Sequence, residues 1–200
     1  VGGAGGSFSD PALLTSTYTP TATSGTVTLR ISTADPAGTC NPGTVVQDDM
    51  VLTIKPTPTA TISGTTTICE GGNANITFTG LPNTTISYLV NGAAQTVSIG
   101  GTGTTVVNSG VLNDTATYEL VNVYYPAAPG CTTSVSGTAT INVNPLATVN
   151  AGPDQEICAL TPIVSLAGMI GGGASTGTWS GGNGTFNPNN TTPNATYTPS

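Results

Sequence analysis

Four cysteines, Cys40, Cys69, Cys131 and Cys158, carry the most reactive chemistry in this 200-residue chain. Thiols of this kind bind a metal or pair as disulfides. The chain has no histidine and no Cys-x-x-Cys, so the usual zinc-ligand spacings are missing. Pairing in an oxidising compartment is the expectation. Without histidine there is no Ser-His-Asp or Cys-His catalysis either. The chain has nine carboxylates, and a glycosidase needs two of them about 5–10 Å apart in a cleft. Glu70, Glu119 and Glu156 stand isolated and read as solvated surface charge. Asp48-Asp49 could help hold a calcium ion, but adjacent residues of a strand point to opposite faces. The expectation is no enzyme, no cofactor and no metal.

Composition narrows the partners. Two basic residues against nine acidic ones, a net charge of −7, cannot neutralise a run of phosphates, so no nucleic acid is expected. No stretch approaches the ~18 consecutive apolar residues of a membrane-spanning helix, so no membrane insertion is expected. Charged residues make up only 6% of the chain, and 40 threonines replace them on the surface. Threonine is β-branched, favours strands and keeps an outer face wet without charge. Such a surface suits an extracellular protein. The chain opens on Val1 without a start methionine or signal peptide and reads as a piece of something longer.

The elements that must position these residues repeat. Gly6-Ser7-Phe8 and Thr17-Tyr18-Thr19-Pro20 recur as Gly184-Thr185-Phe186 and Thr196-Tyr197-Thr198-Pro199. The offsets are 178 and 179, a one-residue slip. Val27, Leu29 and Cys40 align with Tyr118, Leu120 and Cys131 at a constant offset of 91, although Ile31 then falls opposite Asn122. Ile68-Cys69 aligns with Ile157-Cys158, each followed by a strand ending in glycine, Gly80 and Gly168. Two related module types, each roughly 90 residues, therefore alternate. Residues 1–56 read as the second half of one module, 57–146 as a complete module and 147–200 as the first half of the next.

The secondary structure expected is all strand. Asn75 to Thr79 and Thr138 to Val143 alternate apolar and polar. Asn91-Gly92 after Ile86 to Val90 is a strong hairpin signal. Thr117 to Tyr124 is less clean. Tyr118 and Leu120 share one face, while Val121 and Val123 take the other parity; either a bulge follows Leu120 or both faces are partly covered. No stretch carries a helical period with caps. About seven short strands in 90 residues is the count of an immunoglobulin-like sandwich. Tyr118, Leu120, Ile76 and Phe78 are expected inside it, with Glu119 and Thr77 outside.

Asp114-x-Ala116-x-Tyr118-x-Leu120 resembles the entry to strand F of immunoglobulin-type domains. There the tyrosine hydroxyl bonds back to upstream backbone as a tyrosine corner. Leu120 stands where antibody domains carry a cysteine, so their inter-sheet disulfide is absent, and the single tryptophan, Trp179, lies in the other module type. Cys69 and Cys131 are 62 residues apart, and Cys158 would lie 61 before the next copy of Cys40. The shared spacing argues for one disulfide per module, Cys69 to Cys131 here, with Cys40 and Cys158 partnered in neighbouring repeats. Closing such a loop stabilises by roughly 4 kcal/mol in the chain-entropy model.

Ala151-Gly152-Pro153-Asp154-Gln155-Glu156-Ile157-Cys158, Gly177-Thr178-Trp179-Ser180-Gly181-Gly182, Gly184-Thr185-Phe186 and Ala195-Thr196-Tyr197-Thr198-Pro199 resemble the PKD/Ig-like tandem repeats of giant cell-surface adhesins of the Bacteroidota. Ile76 to Gly80 and the Asn91-Gly92 hairpin resemble the companion repeat, and the nearest group is the SprB-type gliding-motility adhesins. The resemblance covers nearly the whole chain. It implies a chain of thousands of residues, export by type IX secretion, outer-membrane attachment at the cell surface, and filaments that bind substrata, polysaccharides or other cells.

Asp114-Thr115-Ala116 also resembles the bacterial O-glycosylation motif of that phylum, which makes Thr115 a candidate acceptor. The sequons at Asn75, Asn83, Asn113, Asn183, Asn189, Asn190 and Asn194 matter only in a glycosylating secretory route. The leading expectation is a stalk segment of such a filament, tandem sandwiches joined end to end through Lys55-Pro56-Thr57-Pro58 and Asn144-Pro145-Leu146. Its partners are then neighbouring repeats. A second reading is a glycan-binding module using loops such as Gly171-Gly172-Gly173 or Tyr124-Tyr125. A third is a protomer of a self-assembling fibre.

Overall fold

A computed structural model describes residues 3–33, 45–128 and 130–200. Among them there is no helix. The strands run β1 Gly6–Phe8, β2 Tyr18–Pro20, β3 Gly25–Ser32, β4 Gln47–Ile54, β5 Ala60–Ser63, β6 Thr66–Cys69, β7 Asn75–Gly80, β8 Thr85–Val90 and β9 Ala93–Ser98. They continue as β10 Thr104–Asn108, β11 Ala116–Tyr124, β12 Thr132–Ser134, β13 Thr138–Asn144, β14 Thr148–Asn150, β15 Val164–Ser165, β16 Met169–Gly171, β17 Thr185–Asn187 and β18 Thr196–Thr198. The all-β class expected from alternation and turn signals is what the chain adopts.

Residues 57–146 hold a two-sheet sandwich. One sheet has the order β10-β7-β5 and the other β6-β13-β11-β8-β9, with β12 added beside β11. Pairings are antiparallel except β6 with β13, which run parallel. Between the sheets lies one core: Ile76 and Phe78 of β7, Ile86 and Tyr88 of β8, Tyr118, Leu120 and Val123 of β11, and Ala139 and Ile141 of β13. Glu119 is exposed as expected, whereas Thr77 is half-buried. Asn91 and Gly92 both take positive φ, 49° and 85°, as the tight hairpin turn between β8 and β9 requires.

The ambiguity past Leu120 is resolved by a bulge. Leu120 pairs with Tyr88 and Asn122 with Ser87, which leaves Val121 without a partner on β8. Val121 turns 40% of its surface to solvent, while Val123 returns to the core at 0%. One inserted residue shifts the parity of everything after it, which is why both parities looked apolar.

The flanking stretches form smaller sheets: β1-β2 and β3-β4 before the sandwich, β14-β16 and β15-β18-β17 after it. Among the described residues, thirteen of the fifteen buried apolar residues other than proline lie in 57–146, and Val27 and Ala195 lie outside. The flanks instead expose Leu14 at 89%, Val149 at 83% and Leu160 at 96%.

The sequence repeats carry over to strand pairing. Phe8 pairs with Tyr18 in one hairpin and Phe186 with Tyr197 in the other. Their rings meet at 5.1 and 4.8 Å. The one-residue slip thus falls in the loop, and the aromatic pair is kept. Gly6 and Gly184 are needed beneath these rings, since a Cβ on either would strike its tyrosine. The hydrogen bond from Ala4 N–H to the Thr26 carbonyl has its counterpart in Asn91 N–H to the Thr117 carbonyl. The Gly3–Val27 bridge corresponds to the Val90–Tyr118 pair, and Val27 opposite Leu52 to Tyr118 opposite Ala139.

Candidate functional site

The two ends of the central sandwich hold most of the chemically distinctive groups. At the end nearest residue 147, Cys69 closes β6 opposite Asn144, the last residue of β13. The next residue, Glu70, donates its N–H to the Asn144 carbonyl at 2.9 Å. Its carboxylate Oε2 accepts the N–H of Leu146 at 3.2 Å. The Leu146 carbonyl in turn accepts the N–H of Gly173 at 3.2 Å. A Cβ on Gly172 would strike that same carbonyl. The linker residue Leu146 is therefore held on one side by the sandwich and on the other by the stretch that follows.

At the opposite end, the Cys131 carbonyl accepts the N–H of Tyr125 at 3.2 Å. The Tyr125 hydroxyl donates to the Pro56 carbonyl at 3.1 Å, and Lys55 Nζ lies 4.8 Å from the centre of its ring. Tyr125 is buried, and Tyr124 is the half-buried last residue of β11. Of the loops considered for sugar, Tyr125 packs on the Lys55-Pro56 linker, while Gly173 is bonded to Leu146 with Gly172 and Gly173 exposed.

This geometry overturns the expected Cys69–Cys131 disulfide. Cys69 lies level with the start of β11, because β13 runs antiparallel to β11 and parallel to β6. Cys131 precedes Thr132, which pairs with Tyr124 at the end of β11. The nine residues of β11 lie between the two levels, roughly 30 Å at about 3.3 Å per residue. A disulfide needs Cα atoms within about 7 Å. Cys69, Cys131 and Cys158 are exposed thiols, and Cys40 lies outside the described residues.

The tyrosine corner is also not made. Tyr118 is 4% exposed, but its hydroxyl has no hydrogen-bond partner among the described residues. Its ring lies against that of Tyr88, 6.3 Å between centres and 21° from parallel. Burial pushes both phenols above the ordinary tyrosine pKa, for Tyr88 with added repulsion from Tyr118. Tyr118→Phe removes no bond, so its unfolding free energy from urea titration should stay within ~0.5 kcal/mol of the parent. A loss of 1 kcal/mol or more would restore the corner.

The other candidates separate widely. Asp114 is exposed at the approach to β11. Thr115 is exposed, and its Oγ1 accepts the N–H of Val143 at 3.1 Å. Trp179 is half-buried in the last stretch, and its indole N–H donates to the carbonyls of Thr192 and Pro193, both at 3.2 Å. It lines an apolar cavity of about 70 Å³ with Val149, Ile170 and Pro193. Asp49 makes a two-pronged pair with Arg30, at 2.6 and 2.7 Å. Hydrogen bonding from Arg30 holds the Asp49 carboxyl below its ordinary pKa and raises that of the guanidinium. Among the described residues, no three metal-ligating side chains cluster.

Sequence reasoning missed Glu70 and Tyr125 as linker clamps. Glu70 read as an isolated surface charge and Tyr125 as half of an aromatic pair. The nearby prolines marked the linkers but not what would hold them. No protein-family model matches this chain, and no curated protein matches its sequence.

Proposed function

We propose that this chain is a stalk segment of a large extracellular filamentous adhesin, built of tandem immunoglobulin/PKD-like sandwiches joined end to end. The observation that carries this reading is the linker geometry. Leu146 is bonded through both its N–H and its carbonyl, and Pro56 is held by Tyr125. Flexible tethers would leave such groups to water; a mechanical stalk needs its joints fixed. The recurring hairpins and strand registers support a repeating array, and the exposed apolar residues of both flanks suit halves completed by neighbouring sequence.

In this reading residues 1–56 end one module, 57–146 form the next and 147–200 begin a third. The array is exported and attached to the outer cell surface, where it supports adhesion and, in a gliding cell, motility. Its work is mechanical and not enzymatic. Its immediate partners are neighbouring repeats, with polysaccharide or other surfaces contacted elsewhere along the filament. A fibre protomer remains the second reading, favoured by the same exposed flanks if the completing half comes from another chain.

Small-angle scattering tests the stalk. A tandem chain in which residues 22–200 are repeated once after Ser200 adds one full period of two modules. At roughly 40 Å per sandwich, from strands near 3.3 Å per residue plus loops, its maximum dimension should grow by about 80 Å. Growth of a few ångströms, as for a compact globule, would overturn the reading.

A further inference from the structure

We infer that the cysteines staple successive sandwiches to one another, and not each sandwich to itself. The inference rests on the stalk reading above and adds its covalent chemistry. The central sandwich carries one exposed thiol at each end, each beside a different linker. Cys69 is paired to Asn144, directly before Pro145-Leu146. Cys131 is bonded through its carbonyl to Tyr125, whose side chain holds Pro56. With the two levels separated by the length of β11, neither can reach the other.

Sequence register supplies the partners. Cys40 occupies the position of Cys131, at the same offset of 91 as Val27 and Leu29, and Cys158 occupies that of Cys69. In sequence register every module of the array then carries one Cys69-type and one Cys131-type thiol, the types that the central sandwich holds at its trailing and leading ends. Where two modules meet, the trailing thiol of one faces the leading thiol of the next. Cys69 is then the partner of the Cys40 that belongs to the completed third module. Cys158 is the partner of the following copy of Cys131. This replaces the pairing of Cys158 with the next Cys40, which would join two ends of one module.

The third stretch agrees with this placement. Residues 154–158, the counterpart of β6, form no strand. In the central sandwich β6 pairs only with β13, and the counterpart of β13 is β4, which the third stretch does not contain. Cys158 therefore waits for the same completing half that brings Cys40 to Cys69.

The bond forms by thiol–disulfide exchange with a low-molecular-weight disulfide as oxidant. One thiolate attacks the oxidant and releases one of its halves as a thiol. The second protein thiolate then attacks the mixed disulfide and releases the other half. Two protein thiols lose two electrons and two protons, and the oxidant becomes two thiols.

The test uses the tandem chain described above, oxidised with glutathione disulfide, followed by non-reducing peptide mapping. Expected are links from Cys69 of the first copy to Cys40 of the second, and from Cys158 of the first copy to Cys131 of the second. Cys69→Ser should abolish the first link and leave the second. Cys69 linked to Cys131 of its own copy, Cys158 linked to the second Cys40, or thiols that stay reduced would each overturn the staple. Scattering of the same sample separates the two claims. An elongated chain with wrong or missing links overturns the staple alone, and a compact chain overturns the stalk reading beneath it as well.

Discussion

Phe78→Ala is expected to lower the stability of the central sandwich by about 3–5 kcal/mol, the usual range for a fully buried phenylalanine. Phe78 is 0% exposed on β7, and its ring centre lies 4.6 Å from that of Tyr88 across the sheets. The core has few large side chains, so no neighbour can swing in to fill the space. A domain of this size has a net stability of about 5–15 kcal/mol, so the variant should unfold at a much lower urea concentration. Val106→Ala on β10, 57% exposed, is the control and should change stability by no more than ~0.5 kcal/mol. Urea titration followed by tyrosine fluorescence measures both. A Phe78→Ala loss below 1 kcal/mol would mean that the two sheets do not pack through β7.

Hydrogen exchange of the 200-residue chain should divide sharply along its length. Amides of β7, β8, β11 and β13 sit in a closed sandwich and exchange only when it unfolds. With a stability of about 5 kcal/mol, each factor of ten in rate corresponding to about 1.4 kcal/mol, they should be slowed several thousand-fold. The flanks have no such shield. β1 and β2 pair over three residues, as do β14 and β16, and a two-stranded hairpin is marginal in water. β3 pairs over its full length only with β4, whereas its counterpart β11 has partners on both edges. Exchange in 3–33 and 147–200 should therefore stay within roughly tenfold of the unfolded rate. In the tandem chain, the junction between first-copy residues 147–200 and second-copy residues 22–56 should gain protection, because each then has its missing partner strands. Strong, uniform protection across a monomer of the 200-residue chain would refute the division into halves.

Each linker is held by ordinary groups used locally: a carboxylate on a backbone N–H, a phenol on a carbonyl, a glycine close enough to give its N–H to the linker. None forms a long-range charge network, and the chain has only two cations with which to build one. In the proposed array, stiffness would come from short proline-bearing linkers with their backbone groups satisfied, supplemented by the disulfide staples inferred above.

Local pattern was enough for the strands of the central sandwich. Alternation identified Ile76 and Phe78 as inward, and Asn91-Gly92 marked a turn because few other pairs tolerate two positive φ angles. The repeated Phe and Tyr residues were legible as a repeat, since a hairpin that keeps its cross-strand ring pair also keeps its spacing. The register after Leu120 was not legible, because a bulge adds a residue without changing residue type.

The cysteine pairing failed for a more general reason. Alternation says which face of a sheet a side chain takes, and spacing along the chain says how large a loop a disulfide would close. Neither says at which end of the sandwich a residue lies. That depends on strand direction, here on β6 running parallel to β13 while β11 runs antiparallel to it. The roles of Glu70 and Tyr125 depended on the same thing, because each meets a linker only through the order in which strands return to the two ends. From residue types and their periods alone came the all-β class, the sequence repeat and the inward residues of the central strands. The tertiary structure decided which ends the thiols and clamps occupy, because pairing direction is a property of strands brought together from distant parts of the chain.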